Sequence, residues 1–256
     1  MTGIKSFFIA FSIYSKIPMP QFEWKEEDMK YTLCFFPWVG AVIGVLVYGW
    51  SIICKRYQIG DLCYTCIGTA IPLLITGGFH VDGFMDTMDG FHSYQPKERK
   101  LEILKDAHIG AFSVIMLGTY GLLYLGAFSR ITDSTILSIV AAGFYFARVL
   151  SGIGVVSFPK AKKEGMLYLF ADSAQKRIVK GTLILQGILC MAFMLWRSVL
   201  WGSSILLAAL LSFAYYYYRT KKELGGITGD TAGFFIVVCE TSMVVVAAVL
   251  MGFVIV

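Results

Sequence analysis

The stretch GGFHVDGFMDTMDG, residues 77–90, sets Asp82, Asp86 and Asp89 at the edge of an otherwise apolar run. Spacings of four and three residues put the three carboxylates within about a 60° arc of one helical face. Phe84, Met85, Met88 and Phe91 fill the other faces. Clustered carboxylates beside a bilayer are costly unless something compensates them. A hard divalent cation such as Mg²⁺ is their natural counterpart, and a metal held there suits chemistry on phosphates. The bland alternative is a solvated helix end. Against it, Gly77, Gly78, Gly83 and Gly90 provide for breaks and for close backbone approach.

The rest of the 256-residue chain is largely oil: 57% of residues are hydrophobic, 15% are charged, and the mean hydropathy is +0.70. This favours a bundle of membrane helices over a soluble domain. Hydropathy marks seven spans, roughly 33–53, 62–81, 109–128, 136–158, 182–196, 198–218 and 231–252, of which the fifth is short. Phe7–Tyr14 is too short to span, so an interfacial or re-entrant segment is expected there rather than a cleaved leader. With no repeat and no linker, residues 1–256 read as a single all-α, polytopic, membrane-embedded domain. Cys63-x-x-Cys66 lacks a second pair or a histidine partner and reads as small apolar helix residues.

Basic residues orient the bundle. Lys5, Lys16, Lys25 and Lys30 precede the first run, and Lys97, Arg99, Lys100 and Lys105 lie between the second and third. Lys160, Lys162, Lys163, Lys176, Arg177 and Lys180 follow the fourth, and Arg219, Lys221 and Lys222 follow the sixth. The opposite side carries only Lys55, Arg56, Arg130 and Arg197. By the positive-inside rule the heavy side is cytoplasmic, with the N-terminus in and the C-terminus out. The aspartate segment and the loops 159–181 and 219–230 then share the cytoplasmic face.

Three further segments belong to that face. Asp106, in Glu102–Gly110, is either an ordinary charge of an amphipathic helix or a further acid near the metal. In Gly225-Gly226-Ile227-Thr228-Gly229-Asp230-Thr231, Asp230 could simply cap the last helix. Yet three glycines and two threonines exceed what a cap needs, so backbone N–H groups are expected to meet phosphate oxygens while Asp230 joins the metal shell. Lys162 and Lys163 either serve topology alone or anchor a phosphate. Of the histidines flanking the acids, His92 ranks above His80 as a substrate contact, because His80 points away from the triad. Deeper in the bilayer, Arg148 and Glu240 each lie about ten residues from the cytoplasmic end of their runs, roughly 15 Å in, and are expected to pair or to share a polar cavity.

GGFHVDGFMDTMDGFHS, LEILKDAHIGAFS and LGGITGDTAG resemble the signature segments of the cobalamin synthase family, the adenosylcobinamide-GDP ribazoletransferases; FSIYSKIPMP and FFPWVGAVIG resemble its opening. The likeness runs from about residue 7 to 240. It implies an Mg²⁺-dependent integral membrane enzyme of the bacterial or archaeal cell (inner) membrane. That enzyme joins the phosphocobinamide part of adenosylcobinamide-GDP to α-ribazole or its 5′-phosphate and releases GMP. Asp82, Asp86, Asp89 and Asp230 would hold the metal, and one aspartate or Asp106 would take the hydroxyl proton. His92, Lys162, Lys163, Gly225, Gly226, Thr228, Gly229 and Thr231 would contact substrate. Nucleic acid is not an expected partner; self-association into a homo-oligomer is compatible with this reading. One departure stands out: Lys162 occupies a place where an arginine is expected, so a point charge replaces a bidentate fork. A CDP-alcohol phosphotransferase would instead carry D-x-x-D-G-x-x-A-R, a prenyltransferase would need a second aspartate-rich motif, and a cation-coupled transporter would place its acids near the midplane.

Overall fold

A computed structural model describes residues 2–162 and 164–254. Among these residues the chain forms twelve helices and no strand. Six helices are long and apolar enough to cross a membrane: α3 (Thr32–Tyr57), α7 (Ala111–Phe128), α8 (Ser134–Ser157), α10 (Lys176–Arg197), α11 (Val199–Leu224) and α12 (Gly229–Val254). Helix α4 (Asp61–Thr76) is followed by α5 (Phe79–His92) after a bend of 90°; taken together as one broken span, the pair would make a seventh crossing. Short helices fill the connections: α1 (Thr2–Tyr14), α2 (Glu26–Met29), α6 (Lys97–Ile103) and α9 (Met166–Ser173).

Six of the seven expected spans are therefore continuous helices, and the remaining one differs. The run 62–81 is not continuous. It breaks at Gly77 and Gly78, whose φ values of +63° and +81° lie where only glycine sits without strain. Helix α5 leaves at a right angle and packs on α12 and α7. The expected short segment before the first span is the 13-residue helix α1, closed by the Ser15 hydroxyl donating to the Phe11 carbonyl at 2.6 Å.

Glycines decide which helices touch. Gly40 and Gly44 sit one turn apart on α3, where added Cβ atoms would lie 2.3 Å from the Phe144 carbonyl oxygen and 2.4 Å from that of Ala141. Helices α3 and α8 thus meet backbone to backbone, a small-residue packing that works in lipid, where helices gain nothing from burying apolar surface against each other. By contrast α7 and α10 present Val114, Leu122, Leu185 and Leu189 outward, as lipid-facing helices do.

Arg148 and Glu240 do pair. The guanidinium Nη1 donates to Glu240 Oε1 at 2.6 Å and to the Phe144 carbonyl at 2.8 Å. Arg148 is 1% exposed, so each charge depends on the other. Arg148→Met or Glu240→Met alone is expected to cost about 3–5 kcal/mol, because each strands a buried charge, while the double substitution recovers most of that loss. Thermal unfolding of the four proteins in detergent checks this.

Candidate active site at the membrane end of the bundle

The acidic segment and the last helix are brought together by a close crossing. A Cβ on Gly83 would lie 2.7 Å from the Asp230 carbonyl oxygen, and one on Gly233 would lie 2.8 Å from that of His80. No side chain fits at either point, so α5 and α12 rest directly on each other. Asp82, next to Gly83, and Asp230 then line one cavity of about 550 Å³. Its other walls include Lys105, Lys162, Glu164, Tyr168, Thr228 and Gly229.

Asp230 occupies the first turn of α12, whose start is fixed by a reciprocal cap. Thr231 N–H donates to the Thr228 hydroxyl oxygen at 3.2 Å, and Thr228 N–H donates to Thr231 Oγ1 at 2.8 Å. Thr231 is fully buried in that role. The Thr228 hydroxyl also lies 3.3 Å from Asp230 Oδ2.

Asp86 lies one turn beyond Asp82 and is half-buried. Burial, then the neighbouring carboxylates of Asp82, Asp230 and Asp89, push its carboxyl up to about 6. Asp89 does something different. Its two oxygens accept the N–H groups of Gly110 at 2.8 Å and Ser113 at 2.9 Å, capping the start of α7. Gly110 has no side chain to cap with, and a Cβ there would meet Asp89 Oδ1 at 2.4 Å. The expected triad is thus divided: Asp82 lines the cavity, Asp86 does not, and Asp89 is tied to the next helix.

Lys162, which lines the same cavity near Asp230, donates to the Leu101 carbonyl at 3.0 Å. Burial, then the nearby Lys105, hold its ammonium below the ordinary lysine value. Lys105 and Glu164 form an exposed ion pair at 2.5 Å. Backbone pairing shapes the wall itself: Ile227 N–H donates to the Pro159 carbonyl at 2.8 Å and Ala161 N–H to the Ile227 carbonyl at 2.9 Å. Gly226 allows this approach, since a Cβ would lie 2.5 Å from the Pro159 carbonyl oxygen. Gly225, with φ +73°, terminates α11.

Of the expected substrate contacts, Lys162, Thr228 and Gly229 line the cavity, whereas Gly225, Gly226 and Thr231 build its frame. His92 does not line it; its Nδ1 is 2.8 Å from the Met88 carbonyl oxygen and its ring stacks on Phe112. Asp106 also lies off the cavity. It accepts the His108 N–H at 3.0 Å and sits 2.6 Å from His108 Nδ1, contacts that hold its carboxyl below the usual range. Lys163 is outside the described residues. Lys105, Glu164 and Tyr168 were not anticipated at the cavity. A lysine beside Asp106 and a lone acid inside a basic loop are faint signals for the first two; Tyr168 carries none.

Comparison with known proteins fits this geometry. The family model described as cobalamin-5-phosphate synthase matches residues 6–248. The chain belongs to the cobalamin-5-phosphate synthase family. It is 43% identical over 240 residues to a Lachnoclostridium phytofermentans protein named adenosylcobinamide-GDP ribazoletransferase, covering 94% of this chain and 92% of that one. Proteins of the same name from Fusobacterium nucleatum (32% identical, 90% and 92% covered) and Desulfitobacterium hafniense (30%, 94% and 95%) are similar over most of their length. No solved structure matches. Membership makes this chain a transferase of cobalamin assembly, and sets aside the transporter, CDP-alcohol and prenyl alternatives.

Among the described residues, no three acidic, histidine or cysteine side chains converge on one point as a ready-made metal site. The donor set nevertheless suits Mg²⁺: Asp82, Asp86 and Asp230 offer only hard oxygens, and their mutual repulsion is what a cation would relieve. The α5–α12 crossing is the feature this grouping depends on. Gly83→Val is expected to force the helices apart, costing about 1–3 kcal/mol and most of the turnover. Gly118→Ala, at a position with open space around it, is expected to change neither. Thermal unfolding and activity of the two variants provide the check.

Proposed function

We propose that this transferase moves the phosphocobinamide group of adenosylcobinamide-GDP onto α-ribazole or its 5′-phosphate, releasing GMP and leaving adenosylcobalamin or its 5′-phosphate. A hydroxyl oxygen of the acceptor ribose forms the new bond to the phosphorus that carries cobinamide. The phosphoanhydride bond to GMP breaks in line, and the hydroxyl proton passes to a carboxylate of the cavity wall. The observation that carries this reading is that Asp82, Asp230 and Lys162 line one cavity in a chain of this family.

Asp82, Asp86 and Asp230 would hold Mg²⁺. When bound, the ion supplies charge neutralisation for the diphosphate and its developing charge. Asp82 and Asp230 orient the phosphates from one wall, and Asp82, the more exposed of the two, accepts the hydroxyl proton. Lys162, in the same cavity, receives the phosphate oxygens of the leaving GMP. Lys105, when it exchanges its Glu164 partner for substrate, adds a second positive charge. Gly229 leaves room for backbone N–H groups of the α12 start to approach an oxyanion. Asp89 acts through structure, by fixing where α7 begins. Asp106 is held by His108, so it is not given the proton-accepting role.

The positively charged connections of this chain meet at the cavity end, which supports a cytoplasmic active site, an N-terminus inside and a C-terminus outside the cell membrane. Anionic nucleotide substrates are available on that side.

Asp82→Ala is expected to abolish Mg²⁺-dependent GMP release from adenosylcobinamide-GDP while leaving the protein inserted and folded. Release at the wild-type rate would reject the assignment. Asp86 provides a pH test. Its carboxyl titrates near 6 in the folded chain against about 4 unfolded, so its ionisation opposes folding as pH rises through that window. Without Mg²⁺, Asp86→Asn should therefore be more stable than wild type at pH 7 and equal to it at pH 3. At subsaturating Mg²⁺, turnover of the wild type should fall as pH drops below 6, because protonation of Asp86 competes with the cation. Thermal unfolding and a pH–rate profile measure both effects.

A further inference from the structure

Helices α3 and α10 both pack on α8 but scarcely on each other. One link joins them, where Gln186 Nε2 of α10 donates to the Cys34 carbonyl of α3 at 3.0 Å. From Gln186 outward they leave a groove of about 710 Å³. Ser138 and Tyr145 of α8 lie in it, with Gly49 and Ile52 on the α3 side and Leu189 and Phe193 on the α10 side. Its residues run from 41 to 52 on α3 and from 186 to 197 on α10, about 16 Å at 1.5 Å per residue. That matches the depth of one leaflet, half of a hydrocarbon core about 30 Å thick.

The mouth of this apolar groove is charged. Arg197 ends α10 at the turn into α11, and the Asp230 cavity lies beyond the other end of α11. Arg197 Nε donates to Ser138 Oγ at 3.0 Å, which fixes the guanidinium at the groove. Its Nη groups are not buried, and among the described residues neither meets an acid or any other acceptor. No acidic residue lines the groove. Arg56, exposed and also without an ion-pair partner among the described residues, lies one turn beyond Ile52 on the same face of α3. Trp196, 77% exposed, stands next to Arg197, as indoles do where lipid meets water.

We propose that the groove binds one anionic glycerophospholipid from the leaflet on that side. An acyl chain fills the groove as far as Gln186, and the phosphate takes the free Nη groups of Arg197. A guanidinium fork matches two phosphate oxygens at once. A net negative headgroup is preferred over a zwitterionic one, because the latter brings its own cation toward Arg197 and Arg56. A second copy of the chain suits the groove less well: about a two-fold axis it would add its own Arg197 and Arg56 at the same level, with no acid to offset them. The bound chain joins α3 to α10 where they do not touch each other, and so completes the contact that Gln186 begins.

Native mass spectrometry of the full chain released from detergent tests this, with titration of phosphatidylglycerol, phosphatidylcholine or the bare headgroup glycerophosphoglycerol. Wild type is expected to hold one phosphatidylglycerol at least fivefold more tightly than phosphatidylcholine, and to retain no glycerophosphoglycerol. Arg197→Gln is expected to weaken phosphatidylglycerol at least fivefold and to erase the preference. Gly49→Leu, which places a side chain in the open space of the groove, is expected to weaken both lipids at least fivefold. Arg130→Gln removes a charge outside the groove and is expected to leave binding within twofold. If Gly49→Leu does not fold, the contrast between Arg197→Gln and Arg130→Gln carries the test. Equal affinity of wild type for the two lipids would overturn the proposal. So would unchanged binding in the folded groove variants, or an equal loss in Arg130→Gln, which would reduce the effect to overall charge. A wild-type dimer that lipid leaves intact and Gly49→Leu dissociates would give the groove to a second copy instead.

Discussion

The contact between Gly83 of α5 and the Asp230 backbone of α12, mirrored by Gly233 against His80, is the constraint on which the site depends. Two carboxylate-bearing helices do not approach each other by preference. They are held here because neither has a side chain in the way at the crossing and because each is fixed elsewhere. Helix α12 is tied to α8 through Glu240 and Arg148, and α8 lies against α3 through Gly40 and Gly44. Helix α5 is tied to α7 through Asp89 and enters at a right angle through two left-handed glycines. Packing and hydrogen bonds thus impose an electrostatic arrangement that repels itself. This repulsion is what a divalent cation would relieve; at Asp86, pushed up to about 6, it adds to the larger effect of burial.

The basic side of the cavity is built with other means. Lys105 and Lys162 come from connections rather than spans, and the connections hold each other. Lys100 of α6 pairs with Glu223 at the end of α11, Lys162 reaches Leu101, and the strand-like contact of Pro159 and Ala161 with Ile227 joins two loops across the bundle end. Acids on rigid helices share the cavity with cations on linked loops. In the proposed mechanism this division has a use: the metal side must be exact, whereas the side that admits a bulky substrate and releases GMP gains from being able to give.

Much of this was legible in the sequence because bilayers impose simple rules. Apolar length marks the spans, and basic residues mark the side, so the loops that meet at the cavity can be grouped before any coordinates. The Arg148–Glu240 pair follows from equal depth in two runs. What could not be read is the split of the aspartate triad. Helical spacing puts Asp82, Asp86 and Asp89 on one arc, but an arc about 60° wide and ten Å long spans more than one neighbour. Asp89, at its far end, meets the start of α7, where it accepts two otherwise unpaired N–H groups. Spacing records a face and says nothing of what the face meets. The same limit hid the bend after Thr76, since Gly77 and Gly78 are as compatible with a continuous apolar run as with a corner.

The glycine-rich segment before α12 shows the limit in its sharpest form. Glycine serves two opposite purposes: it lets chain touch chain, or it leaves space for a ligand. In Gly225–Gly229 both are present within five residues. At Gly225 the positive φ is demanded by the end of α11, and at Gly226 a Cβ would strike the Pro159 carbonyl. Each is needed by the chain itself. At Gly229 a Cβ would meet nothing within 4 Å, and φ is ordinary, yet the residue lines the cavity beside Asp230. Folding places no demand on that position. The open space there, at the first turn of α12, is in keeping with the proposed approach of a phosphate.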